Sequence, residues 1–247
     1  MKTNLISMLR EPHPTSFPVA DCSVPVVFFG NFELANSATI GINPSATEFL
    51  DKLGSPIAND RKRFVDREVL GVGNQDFLTE EQAEQVYASQ LNYFSPNANP
   101  YKKWFDVLER HLSVFGVSYY DGSLVHLDLT PWATYPVWKH LEKSQKAILL
   151  EQGLPLLLKI LNLNRFKCVF LNGRQVMQIF EKKVGSLKTI GKVSSGIVSC
   201  EIKAGLIGNT TVLGWSANLQ SSHGVSEELK LKIREQIQPL CDISISA

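Results

Sequence analysis

The chain reads as an α/β protein, a three-layer α/β/α sandwich around a central, mainly parallel four-stranded sheet. Two observations predict this. Short apolar, β-branched runs alternate with stretches of helical periodicity, and strands separated by helices return parallel in a sheet covered on both faces. The runs also stop at polar or turn-forming residues, which in open α/β sheets mark the ligand-binding edge. With 247 residues, 44% of them hydrophobic, the chain is long enough to core one domain, 1–247, and still carry insertions.

Residues 1–24 read as an extended arm containing Pro and Ser, with His13 between Pro12 and Pro14 as an ordered loop residue. Val24–Phe29 reads as an edge strand. The first sheet strand runs through Thr39, Ile40 and Ile42, with Gly41 allowing close backbone approach. Pro44 cannot donate to a ladder and restricts Asn43, so the strand stops there. An insertion of about 50–100 follows, with a charged helix near Thr79–Gln90. The next helix, Tyr101–His111, repeats Trp104, Phe105, Leu108 and Leu112 at helical spacing, as core residues do. Val125–Leu129 is the second strand. Leu141–Leu161 is a helix interrupted by Pro155. Lys167–Asn172 is the third strand, turning through Gly173 into a helix over Arg174–Lys183. The Gly- and Val-rich stretch 184–209 reads as irregular strands or a hairpin. Thr210–Trp215 is the fourth strand, and a last helix spans about Ser226 to Gln238, with Ser226 as its N-cap.

The formal net charge is +1, which argues against a general nucleic-acid coat protein but leaves room for a local basic strip. Arg61-Lys62-Arg63, Lys102-Lys103 and Lys139-His140 with Lys143 and Lys146 are the candidate phosphate contacts; such runs are also ordinary solvated surface. The four cysteines, at 22, 168, 200 and 241, show no ligand spacing, so no metal and no cofactor is expected, and scattered thiols fit a reducing cytoplasm. No stretch approaches the length of a membrane span or a signal peptide. Phosphate-cradling loops of the G-x-G-x-x-G and G-x-x-x-x-G-K-[ST] types are absent, which lowers a nucleotide-binding enzyme as an explanation.

Gly41-Ile42-Asn43-Pro44-Ser45 resembles the first motif of the uracil-DNA glycosylase superfamily, a Gly-x-Asn-Pro-Gly/Ser pattern. Four further segments follow in the order that resemblance implies: the polar end of Val125–Trp132, the Lys167–Gly173 strand, the Thr210–Trp215 strand with its loop Ser216–Gly224, and the last helix. On the residues alone, Asn43 reads equally as a turn or capping residue. The resemblance implies a monofunctional DNA glycosylase, with DNA as partner and a monomer as its state. Such an enzyme flips a nucleotide from the duplex and hydrolyses its N-glycosidic bond to leave an abasic site. It implies that Asn43 positions the attacking water and that Gly41 lines the substrate pocket with Asn172. The leaving-group donor lies in the 216–224 loop. Many members carry His-Pro-Ser there; Trp215-Ser216-Ala217-Asn218 stands in its place, so Asn218 and His223 are both candidates. Gln220, Ser221, Ser222 and Gly224 then contact DNA.

Asp128 stands where the superfamily places its base-reading side chain. An ionised carboxylate accepts from cytosine N4, and a protonated one also donates to N3, whereas uracil O4 opposes it. A structural Asp beside Thr130-Pro131 is the plainer alternative. Ser45 is small where the uracil-specific branch carries Tyr, which leaves the C5 side open. The pair points to a 5-substituted cytosine, and by analogy to bacterial members that excise modified phage bases in defence. Ordinary uracil or mismatch repair and an inactive base-binding module are the competing readings. Phe49, Phe64 and Tyr101 are the candidates for stacking on the base.

Overall fold

A computed structural model describes residues 2–14, 17–163, 166–221 and 225–246, with side chains through Asp242. Its contacts divide the chain into two compact units, one of Met1–Glu33, Asn43–Pro100 and Asp128–Leu157, the other of Leu34–Ile42, Tyr101–Leu127 and Leu158–Ala247.

The second unit is built on a sheet. Its strands are β1 (Ser37–Gly41), β2 (Leu124–Asp128, through Leu127 in this unit), β3 (Cys168–Asn172), β4 (Lys188–Ser195), β5 (Val198–Ile207) and β6 (Thr210–Trp215), in the order β2-β1-β3-β6-β5-β4. β1 pairs parallel with β3, and β3 parallel with β6; β5 runs antiparallel to β6, and β4 antiparallel to β5. The protein is therefore α/β with a mixed sheet of six strands, not four. The two additional strands come from the 184–209 stretch, which is the hairpin the sequence offered as one option. β4 is mostly exposed, so its sequence lacks the dense apolar run that marks β2 and β3, every residue of which is buried. Two-residue connections, Gly196-Ile197 and Gly208-Asn209, close the two hairpins.

Three helices belong to this unit, α3 (Lys102–Leu112), α5 (Arg174–Lys183) and α6 (Glu227–Ser246). α5 packs on β3 and β6, and α6 packs on β3, β4, β5 and β6. α6 continues through Pro239, beyond the expected end near Gln238. A proline removes one helical hydrogen bond, and the buried row Leu229, Ile233, Ile237 and Cys241 holds the helix on the sheet across that gap. In α3, Phe105, Leu108 and Leu112 are buried as expected, but Trp104 is 40% exposed and not core.

The first unit contains α1 (Lys2–Leu9), α2 (Glu80–Leu91) and the residues of α4 (Lys143–Leu161) up to Leu157. α1 packs against α2 and buries Leu5, Ile6 and Leu9, so the expected extended arm over 1–24 begins instead as a helix. Thr79 caps α2 in a reciprocal capping box with Gln82, which explains why its start was legible. Val24–Phe29 is buried but forms no strand; the Gln90 side chain accepts from Val27 N and donates to Pro25 O, and Val26 N donates to Pro131 O. α4 runs unbroken through Pro155. Gly153 lies against the backbone after Asp128, where a Cβ would stand 2.5 Å from both Leu129 O and Thr130 Cα.

No helix among the described residues is long and apolar enough to cross a membrane.

Candidate functional site

In the sheet unit, β1, β3 and β6 are parallel and in register, so Gly41, Asn172 and Trp215 end at one edge. The chain leaves β1 for its neighbour β2 and later returns to β3 on the other side of β1. This reversal of strand order is where open α/β sheets form a ligand crevice.

Asn172 organises this edge. Its Nδ2 donates to Asn218 Oδ1 at 3.0 Å and to Gln220 Oε1 at 2.9 Å. Its Oδ1 accepts from Trp215 Nε1 at 2.9 Å and Leu219 N at 3.0 Å. All four hydrogen-bonding positions of a carboxamide are thereby used. Asn172 is a positioning residue for the 216–221 loop, not a free group for substrate. The loop is further fixed by Gly173 N on Trp215 O and Arg174 N on Ser216 O. Gly173 has φ +102°, a backbone geometry that side chains rarely adopt.

Asn218 is exposed. Its Oδ1 is taken by Asn172 and by Gln220 N at 3.0 Å, while its Nδ2 has no partner among the described residues. The loop thus presents an oriented N–H donor pair. Gln220 Nε2 donates to Trp104 O at 3.0 Å, so the exposed Trp104, flanked by exposed Lys102 and Lys103, lies beside this loop. An aromatic face with adjacent cations suits stacking on nucleobases and phosphate contact. Helical periodicity concealed it, because Trp104 fell in step with the core residues. Ser221 is exposed. Ser222, His223 and Gly224 lie outside the described residues. Tyr101, half-buried, occupies the N-cap position of α3.

In the first unit, Asn43 follows β1 by two residues. Its Nδ2 donates to Pro44 O at 2.8 Å and to Thr134 Oγ1 at 3.1 Å. Both amide hydrogens are engaged, and Oδ1 accepts no hydrogen bond from a described residue. A half-buried carboxamide held by its nitrogen offers a fixed acceptor to a water or a substrate hydroxyl. Ser45 is exposed and caps the short 3-10 turn Ala46–Glu48, with Thr47 N donating to its Oγ at 3.3 Å.

That turn buries Glu48, which sequence reasoning missed. The carboxylate is 3% exposed, accepts from Tyr93 OH at 2.9 Å and stands 3.8 Å from Arg63 Nε. Burial pushes its pKa up to about 7, against the opposing pull of Arg63 and the Tyr93 hydroxyl; the nearby negative charge of Asp128 raises it further. Two buried carboxyl groups, Glu48 and Asp128, therefore act on each other. The available signal was a glutamate inside an otherwise apolar and hydroxyl-bearing turn five residues after Asn43.

Phe49 and Phe64 are 1% and 3% exposed and belong to an aromatic core. Phe64 stacks on Phe49 at 5.7 Å and on Tyr93 at 5.0 Å within that core. It packs beside Tyr93, the ring whose hydroxyl meets Glu48, and exposes little surface to a base. Phe49 has one face on Phe64.

Within the Arg61-Lys62-Arg63 run, Arg61 is exposed, whereas Lys62 and Arg63 turn inward. Lys62 is an inward ion pair with Asp66 at 2.5 Å and Glu68 at 2.7 Å. Arg63 donates to Thr47 O and to Asn99 O at 3.2 Å. Cys22, Asp66 and Glu68 approach one another as a metal-ligating trio would, but the Lys62 ammonium already occupies the charge-balancing position. His13, as expected, is an ordered loop residue, with Nε2 on Ala20 O at 2.9 Å.

No family model matches this sequence, and no curated protein matches it.

Proposed function

We propose that the chain is a monofunctional DNA glycosylase of the uracil-DNA glycosylase superfamily, folded as a single three-layer α/β/α domain. Its substrate is a flipped base of the 5-substituted cytosine type, and its role is cytoplasmic defence against phage DNA. The observation that carries this reading is the Asn43 carboxamide: tied down through its nitrogen, it leaves Oδ1 as a fixed acceptor two residues beyond β1. A water held there adds its oxygen to the sugar C1′ as the C1′–N bond breaks, the bonding pair leaves with the base, and the water proton passes to solvent. A carboxamide is a weak base, so such an enzyme relies on positioning and on stabilising the departing base. The unengaged Nδ2 of Asn218 supports a role as that donor.

Asp128 reads the exocyclic amine of the base in this scheme. Glu48 binds a proton near neutrality, and its neutral form reduces the negative charge facing Asp128. Ser45 presents only a hydroxymethyl group, which leaves space for a C5 substituent. Trp104, Lys102 and Lys103 supply the DNA-facing aromatic and charge.

The test is a glycosylase assay on matched oligonucleotides carrying cytosine, 5-hydroxymethylcytosine, a bulkier 5-substituted cytosine or uracil, with alkaline cleavage reporting abasic sites. Release of the 5-substituted cytosines ahead of uracil is the expected result. Release of uracil alone reassigns the enzyme to ordinary repair, and release of no base removes the reading.

A further inference from the structure

A cavity of about 350 Å³ in the sheet unit lies between α3 and α6, lined by Arg110, His111, Glu227, Lys230 and Arg234 among others. None of these residues belongs to the Asn172 network or to the turn bearing Asn43. Cationic side chains outnumber the single carboxylate three to one. Two of the lining side chains carry buried polar atoms with no hydrogen-bond partner among the described residues: both ring nitrogens of His111, a residue 2% exposed, and Nε of Arg234. Buried polar atoms in folded proteins almost always have partners, so three such atoms on two side chains that line the cavity leave hydrogen-bonding capacity unused beside it.

We propose that this cavity is a phosphate-binding site, taking the phosphate of a free nucleotide or of a DNA strand. Arg110 and Arg234 supply planar guanidinium forks, which suit phosphate oxygens in two-point contacts. The size of the cavity accommodates more than a bare phosphate, since small-molecule pockets begin at about 300 Å³. His111 is neutral at pH 7, because burial and the charges of Arg234 and Lys230 push its pKa down to about 3. A neutral imidazole carries one N–H, and that donor can add to the anion's contacts without a further charge in the wall. Glu227 competes for the cations of the wall, since Lys230 holds it at 2.6 Å, but its side chain is 84% exposed, so an entering anion can displace it toward water.

The site also has a route to the loop. His111 packs edge-on against Trp215 at 5.2 Å, and Trp215 Nε1 donates to Asn172 Oδ1. An anion drawing on the His111 ring acts on the side chain that positions Asn218.

The experiment is a titration of the full chain at physiological ionic strength with three probes: inorganic phosphate, 2′-deoxycytidine 5′-monophosphate and a single-stranded oligonucleotide. Binding is read from the Trp215 indole N–H resonance, whose retention in each variant also reports an intact fold. Saturable binding is expected, with the double variant R110Q/R234Q weakening it at least tenfold. E227Q removes the competing carboxylate and should tighten binding severalfold, a gain that no folding defect imitates. K232Q, on the same helix but pairing with Glu228 at 2.6 Å, should leave binding unchanged. Response to the mononucleotide identifies a free nucleotide as the source, and response to the oligonucleotide alone identifies a strand phosphate. Equal binding by wild type and R110Q/R234Q for all three probes, or saturation by none, overturns the site. None of these readouts depends on base excision, so the proposal stands or falls apart from the glycosylase reading.

Discussion

The Tyr93 hydroxyl donates to Glu48 Oε2 at 2.9 Å inside a shell of aromatic rings, and that shell decides the charge of the carboxyl group. An ordinary glutamate ionises near 4.5, whereas this one ionises at about 7. The folded pKa is raised, so the native state binds the proton more tightly than the unfolded chain does. Stability is therefore unaffected below about pH 4.5, falls as pH rises through the interval to about 7, and stays low above it.

That sign yields the first prediction. Between pH 5 and pH 8, ionisation of Glu48 should cost the wild type about 3 kcal/mol of unfolding free energy. Glu48→Gln keeps an acceptor for Tyr93 and cannot ionise, so this part of the pH dependence should vanish. Urea unfolding of both proteins across that range checks it; parallel pH profiles would show that Glu48 carries no such shift.

Asn43→Ala should lower single-turnover excision by about two to four orders of magnitude while the fold survives, as expected for loss of a positioned catalytic group. Thr134→Ala removes one of the two acceptors that fix the Asn43 amide. It should give a smaller loss, on the order of tenfold, in the chemical step. Near-wild-type turnover by a folded Asn43→Ala protein would exclude it from catalysis.

Asn172→Ala strips the acceptor from Trp215 Nε1 and Leu219 N. Trp215 is fully buried, and each of the two orphaned donors costs about 1–3 kcal/mol, so a loss of about 2–6 kcal/mol is expected in urea unfolding. Asn218→Ala leaves those bonds in place but removes the acceptor of Asn172 Nδ2 and Gln220 N at the exposed end of the loop. It should cost less stability than Asn172→Ala and slow the chemical step by about 2–4 kcal/mol, the usual worth of a donor to developing negative charge. Equal stability losses in the two variants would contradict the division of roles.

Gly153→Ala introduces a methyl group 2.5 Å from Leu129 O and Thr130 Cα. Backbone must move to admit it, at a cost of about 1–3 kcal/mol. Because the displaced segment directly follows Asp128, excision should fall along with the melting temperature. A variant as stable as wild type would show that the helix can shift there without strain.

Asp128→Asn keeps the shape of the side chain but presents an amide that matches N3–H and O4 of uracil. Preference should move toward uracil by about 1–3 kcal/mol, read as ratios of single-turnover rates. Ser45→Tyr should separately suppress bulky C5 substrates and spare unsubstituted ones. An unchanged ratio in Asp128→Asn would remove Asp128 from base reading.

The positions of β1, β3, β6 and α5 were legible in the sequence because each depends on local chemistry. Short apolar or β-branched runs ended by Asn43-Pro44, Asn172-Gly173 or Trp215-Ser216 leave few other conformations, and Thr79 with Gln82 starts α2 within four residues. The candidate roles of Asn43 and Asn218 came from the resemblance that these segments carry, not from the residues alone. Tertiary structure alone decided the rest, since it turns on partners remote in the chain. Tyr93 reaches Glu48 across 45 positions, Asn218 meets Asn172 across 46, and Thr134 meets Asn43 across 91. No spacing rule encodes such pairs. The exposed β4 joins the sheet through pairing with β5 and not through a buried run of its own, so two of the six strands left little local trace. Likewise the pKa of Glu48 is set by burial and by Asp128, 80 residues further on. Propensity and pattern are properties of neighbours in sequence, whereas desolvation and hydrogen-bond partnership are properties of neighbours in space.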